Sequence, residues 1–161
     1  MNATLPQPRP LAPLATRRRV VLIACGGYAL AVLVTLLGGV LRLPEALWAS
    51  LALLGMVLAF FGAVQLMKPA RLGLPEVRDR HIDERQWQRL SQAHISAYRV
   101  LAVTFLLGTL YLLIAYPDHL LPLPTHDFGW TLLWFGAVLL IPSLPGAILA
   151  WTEPDLEAPE E

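Results

Sequence analysis

The sequence predicts an all-α integral membrane protein, a four-helix bundle with both termini on the cytoplasmic side. Three observations carry this. Four uncharged apolar runs are each long enough to cross a hydrocarbon core of roughly 30 Å at about 1.5 Å per helical residue. Hydrophobic residues make up 56% of the 161 and charged residues 15%, against roughly 45–50% and about 25% in soluble domains. A soluble chain this short does not bury that much apolar surface. Finally, the formal net charge of zero hides a segregation: the twelve Lys and Arg fall in a few blocks, and five of the twelve acids lie in the last ten residues.

Residues 1–19 read as a disordered Pro/Arg tail, with Pro6, Pro8, Pro10 and Pro13 ahead of Arg17, Arg18 and Arg19. The first span covers about 20–41. It is longer than the roughly 7–15 residues of a secretory apolar region, so an uncleaved span is expected. Arg42, Leu43 and Pro44 form a tight turn, with Pro44 suited to the first position of a helix and Glu45 to its first turn. The second span, about 46–67, ends at Lys68 and Pro69. The third, about 97–116, has its uncharged run from Val100 to Tyr116 and is expected to stop at Pro117. The fourth covers about 128–151 and carries Pro142, Pro145 and Gly146. Proline removes a backbone bond and presses on the carbonyl four residues back, here Val138, so a kink is expected, with a hinge or broken-helix site as its functional version. The tail 152–161 is acidic and expected to be disordered.

Orientation follows from the basic residues. The N-terminal tail and the central loop hold eleven Lys and Arg; the first outer loop holds Arg42 alone and the second none. Tails and central loop are therefore expected in the cytoplasm. Trp48, Tyr116, Trp130 and Trp151 fall near span ends, where aromatic belts form.

Lipid gives little hydrophobic drive for helix association, so small residues that admit close approach matter. Gly27, Ala31, Thr35 and Gly39 recur every four residues on the first span, and Gly55, Ala59 and Ala63 do so on the second. The two stripes are expected to face each other.

The segment 68–99 is expected to be cytoplasmic and amphipathic. Asp83 and Gln86 have capping-box spacing, and Ile82 with Trp87 has the spacing of a hydrophobic staple. Trp87, Leu90, His94, Tyr98 and Leu101 recur on one helical face; Arg85, Arg89, Gln92, Ser96 and Arg99 line much of the other. A helix is expected from Asp83 straight into the third span. Within it, Asp83, Glu84, Arg85, Ala93, Ala97, Tyr98 and Arg99 form a pattern that resembles one in uncharacterised small bacterial multi-span inner-membrane proteins. The resemblance covers some twenty residues. It implies a bacterial cytoplasmic-membrane setting and no particular activity.

Candidate chemistry is sparse. The single Cys25 excludes an intramolecular disulfide framework and a Cys-based zinc finger. His81, Asp83, Glu84 and His94 lack the i, i+4 spacing of helical metal ligands, and the two acids have helix-start roles. Asp118-His119 and His126-Asp127 in the outer loop have metal-ligand chemistry, but Asp127 reads as a helix cap and Asp118 as a turn residue. The span cores contain no ionisable side chain of the kind that marks ion pathways; the proton-coupled four-span exporters carry a Glu in the first span, and this chain does not. Uniform basicity for nucleic acid is absent.

The expectation is a non-enzymatic membrane protein with no catalytic, cofactor or metal residues. It would act as an accessory, regulatory or structural subunit. Its surroundings would be the lipid bilayer, a protein partner on the cytoplasmic side and, as an open question, further copies of itself. The contact residues would be Arg85, Trp87, Arg89 and Tyr98, the aromatic and arginine types that dominate interfaces. The alternative is a small oligomeric transporter or channel component.

Overall fold

The computed structural model describes residues 11–38, 40–41, 44–74, 84–118, 121–124 and 127–154, and all regular structure among them is helical. Four helices are long and apolar enough to cross a membrane. Helix α1 (Leu14–Leu37) and helix α2 (Glu45–Leu66) are followed by a 3₁₀ turn at Pro69–Leu72. Helix α3 (Glu84–Asp118) is 35 residues long, about 52 Å. The fourth span is broken into α4 (Asp127–Leu140), a 3₁₀ turn at Ile141–Ser143, and α5 (Leu144–Thr152).

Helix α1 starts at Leu14, inside the segment expected to be a disordered tail. Pro13 supplies the reason. Its φ of −51° and ψ of 141° set the chain just before a helix, where a missing N–H costs nothing. Its carbonyl accepts the first bonds, from Thr16 N–H at 2.9 Å and Arg17 N–H at 3.1 Å. Pro44 likewise precedes α2 as its cap residue, with Glu45 as the first helical residue. At the far end of α3 the helix runs one residue beyond Pro117, to Asp118.

The small-residue stripes of α1 and α2 do face each other. A Cβ on Gly27 would lie 2.7 Å from Ala59 N and 2.7 Å from Gly55 O; one on Gly55 would lie 2.6 Å from Gly27 O. Ala24, Ala31, Ala52, Ala59 and Ala63 are buried in the same seam. The two backbones touch, which is how dispersion packs helices in lipid. Gly39 lies outside the described residues.

Helix α4 crosses this pair through two further glycines. A Cβ on Gly129 would lie 2.7 Å from the Thr35 methyl, and one on Gly136 would lie 2.2 Å from Tyr28 Cε2. Tyr28 fills the space and donates its hydroxyl to Leu133 O at 2.9 Å. Trp48, expected in an interfacial belt, is buried instead, with its ring 6.3 Å from that of Phe128.

The expected break at the prolines is present. Pro142 has no N–H for the Val138 carbonyl. Leu144 N–H turns back to Ile141 O, and the Leu140 carbonyl takes the Ser143 hydroxyl at 2.8 Å. Ser143 is buried, and Gly146 lies against the last turn of α2, where a Cβ would fall 2.1 Å from Leu66 O. The break is a packed joint that seats α5 on the end of α2.

Helix α3 stands apart. It packs chiefly on α5, through Leu90, Ala93 and Ala97. Only 6% of its apolar window is buried, against 22–33% for the other three. Its far end is tied by the Tyr111 hydroxyl, which donates to Pro122 O.

Candidate functional site at the convergence of the helix ends

The start of α1, the 3₁₀ turn after α2, the start of α3 and the end of α5 meet at one end of the molecule. An apolar cluster of Leu66, Leu72, Leu74, Leu90, Ala93, Leu149 and Ala150 sits under them, with Leu11 and Ala12 packed on its edge. Ala12 N–H donates to Leu72 O at 3.1 Å, joining the chain's beginning to the turn after α2.

Arg17 is the centre of this junction and is fully buried. Its Nε donates to Ala12 O and its Nη1 to Glu153 O, both at 2.8 Å. One planar guanidinium thus ties the start of α1 to Glu153, 136 residues further on in sequence. Such charge-assisted bonds are about twice as strong as neutral ones. One of them satisfies the Glu153 carbonyl at the C-terminal end of α5, where carbonyls otherwise need partners. Arg18 stacks over Trp151, its Cζ 5.1 Å from the ring centroid, a cation–π contact.

Glu153 serves two arginines. Its carbonyl goes to Arg17, and its carboxylate Oε1 meets Arg89 Nη1 at 2.5 Å. The Arg89 side chain is 52% exposed and that of Glu153 15%. Beside this pair a cleft of about 340 Å³ opens between α3 and α5, lined by Arg89, Gln92, Ala93 and Ser96 on one side and Ile148, Leu149, Thr152, Glu153 and Pro154 on the other.

The four expected contact residues lie on two flanks of α3, the arginines on one and the aromatics on the other. The packed stripe Leu90–Ala93–Ala97 separates them. On one side Arg85, Arg89, Gln92, Ser96 and Arg99 fall within about 80° of arc, and the cleft residues belong to this side. On the other lie Trp87, His94 and Tyr98, within about 40°. Trp87 is 53% exposed and Tyr98 72%. The face expected to be apolar is therefore rotated: Leu90 is its buried member, while Trp87 and Tyr98 form an outward rim. His94 is half-buried, with Nδ1 2.8 Å from Leu90 O in its own helix.

Glu84 opens the described part of α3; His81, Ile82 and Asp83, with the capping box and staple, lie outside the described residues, as do His119 and His126. Asp127 is the first residue of α4. No group of three or more potential metal ligands occurs among the described residues.

Sequence reasoning treated Arg17 and Glu153 only as members of a basic block and an acidic tail. No local signal distinguishes Arg17 from its two neighbours, because its burial comes from a contact with the other end of the chain. Gly129 and Gly136 were legible, since a spacing of seven puts both on one helical face. Comparison with known proteins finds no family model, no curated protein and no solved structure that matches the chain.

Proposed function

We propose that the chain is a non-enzymatic protein of a bacterial cytoplasmic membrane, its four spans forming a bundle with both termini in the cytoplasm. In this reading it is an accessory, regulatory or structural subunit that binds a protein partner through the outward flank of α3. The exposure of Trp87 and Tyr98 carries the reading. Tyr98 stands at the boundary, two residues before the uncharged run from Val100. Trp87 lies eleven residues earlier, about 16 Å along the helix axis. A headgroup layer is about 5–7 Å deep on each side, so an upright α3 carries Trp87 beyond it and into water. A half-exposed tryptophan there is not a membrane anchor, and it has the chemistry of an interface hot spot. The convergence of α1, α2, α3 and α5 at one end supports placing the basic segments on one side, and the positive-inside rule supports calling that side cytoplasmic.

The low burial of α3 at membrane depth favours a second reading, a small oligomeric transporter or channel component in which a neighbouring copy covers that helix. Mild extraction with a tag on the N-terminal tail, followed by native mass spectrometry of the wild type, Trp87→Ala and Tyr98→Ala, separates the two. A stoichiometric second protein lost from both variants supports the subunit reading. A homo-oligomer unchanged by either variant refutes it and turns attention to flux assays in liposomes.

A further inference from the structure

We propose that the cleft between α3 and α5 is a headgroup site for an anionic phospholipid whose acyl chains run down the cleft-side face of α3. Three observations point there. The first is charge. Arg89 lines the cleft and Arg99 stands three residues beyond Ser96 on the same side of α3. Among the described residues the carboxylate lining the cleft is that of Glu153, which pairs with Arg89, so Arg99 is left as a surplus positive charge. Among the described residues Arg99 has no ion-pair partner. The second is size. A volume of about 340 Å³ lies at the low end for small-molecule sites; it suits a headgroup and excludes a whole lipid. Gln92 and Ser96 add polar groups to its wall.

The third is what lies beyond the cleft. From Ser96 the same side of α3 continues at helical spacing through Val100, Val103 and Leu107, all exposed. Helix α3 makes little contact with α4; it is tied again where Tyr111 meets Pro122. A polar, basic pocket at the boundary thus opens onto an apolar wall at membrane depth, the two-part chemistry of a phospholipid. The acidic residues 155–161 follow Pro154, which also lines the cleft. They match the charge, but they have no use for the apolar wall, and the lipid is favoured for that reason. The site shares only the membrane setting with the proposed function. It is read on purified protein, so its failure and the failure of the partner reading are independent results.

The test uses the full chain in neutral detergent, offered phosphatidylglycerol or phosphatidylcholine with matched acyl chains, with bound lipid counted by native mass spectrometry. The wild type is expected to retain phosphatidylglycerol in preference. Arg99→Gln, at an exposed position, is expected to lower that preference about fivefold, and Arg85→Gln, about 21 Å away along the helix, to leave it unchanged. Ser96→Phe fills the cleft without changing charge and is expected to abolish the adduct; truncation after Pro154 is expected to leave the preference intact. Circular dichroism confirms that each variant is helical. Equal retention of both lipids overturns the proposal. So does a preference that survives Ser96→Phe, which would reduce it to diffuse surface charge. Retention that shows only after truncation also overturns it, by giving the cleft to the acidic tail.

Discussion

Gly146→Ala is the smallest change that should disturb the whole junction of helix ends. The added Cβ would stand 2.1 Å from Leu66 O and 3.0 Å from Leu66 C. Both are backbone atoms in the last turn of α2, so no side chain can rotate aside. Reaching ordinary contact at about 3.4 Å requires α5 and α2 to part by about 1.3 Å. Overpacking of this kind costs about 1–3 kcal/mol. The displacement also falls on the bond from Arg17 Nη1 to Glu153 O, 2.8 Å long. Stretched by that amount it is no longer a hydrogen bond, and a bond to a charged donor is worth about 1.5–3 kcal/mol. The sum is about 3 kcal/mol or more, equivalent to about 6 °C or more in unfolding midpoint at this chain length. The assay is thermal unfolding in detergent beside Gly108→Ala, where a Cβ meets nothing within 4 Å and better helix propensity makes the change neutral or mildly stabilising. If Gly146→Ala unfolds at the same temperature as Gly108→Ala, the close seating of α5 on α2 is wrong.

Three further outcomes are expected. Gly27→Ala and Gly55→Ala should each lose about 1–3 kcal/mol by wedging α1 from α2, whereas Gly26→Ala, on the open side of α1, should not; equal midpoints for all three would refute the seam. Arg17→Ala should destabilise by about 3–5 kcal/mol, as a buried, hydrogen-bonded charge is removed and its volume left empty, whereas Arg89→Ala, half exposed, should cost no more than about 1 kcal/mol; denaturant titration of both checks the ranking, and a larger loss at Arg89 would reverse the roles given to them. Cys25 is the chain's one cysteine and is exposed on α1, eight residues past Arg17, about 12 Å along the helix. A spin label there in liposomes should collide more with oxygen than with a water-soluble nickel complex, and the opposite ratio would mean that α1 does not lie at membrane depth.

What was legible in the sequence was what local chemistry decides. Uncharged runs of sufficient length marked four helices, small residues every fourth position marked the α1–α2 seam, and Pro142 marked the break before α5. What was not legible came from contacts distant in sequence. Three consecutive arginines look alike until the end of α5 arrives to bury Arg17 and stack Trp151 under Arg18. Leu14 to Arg19 looked like tail because their helix is held by Leu72 and Glu153, not by their own propensity. On α3, periodicity found an apolar face but not its centre. Trp87 and Tyr98 satisfy the period as well as Ala93 and Ala97 do, and only the small residues leave room for α5 to approach.

Helix α3 is held near its start by α5 and near its end by Pro122, and among the described residues little protein lies against it between. The tilt of a spanning helix is ordinarily set by its neighbours and its interfacial anchors. Here the neighbours are few over the whole hydrocarbon depth, so bilayer thickness becomes a determinant of α3's inclination. A thinner membrane asks α3 to lean while α1 and α2, locked backbone to backbone, and α4, packed on them through Gly129 and Gly136, resist. The difference has to be absorbed where α3 is fastened, at Leu90, Ala93 and Ala97 beside the cleft. Lipid composition thus reaches the water-facing turns of this protein mechanically, through the angle of a single rod.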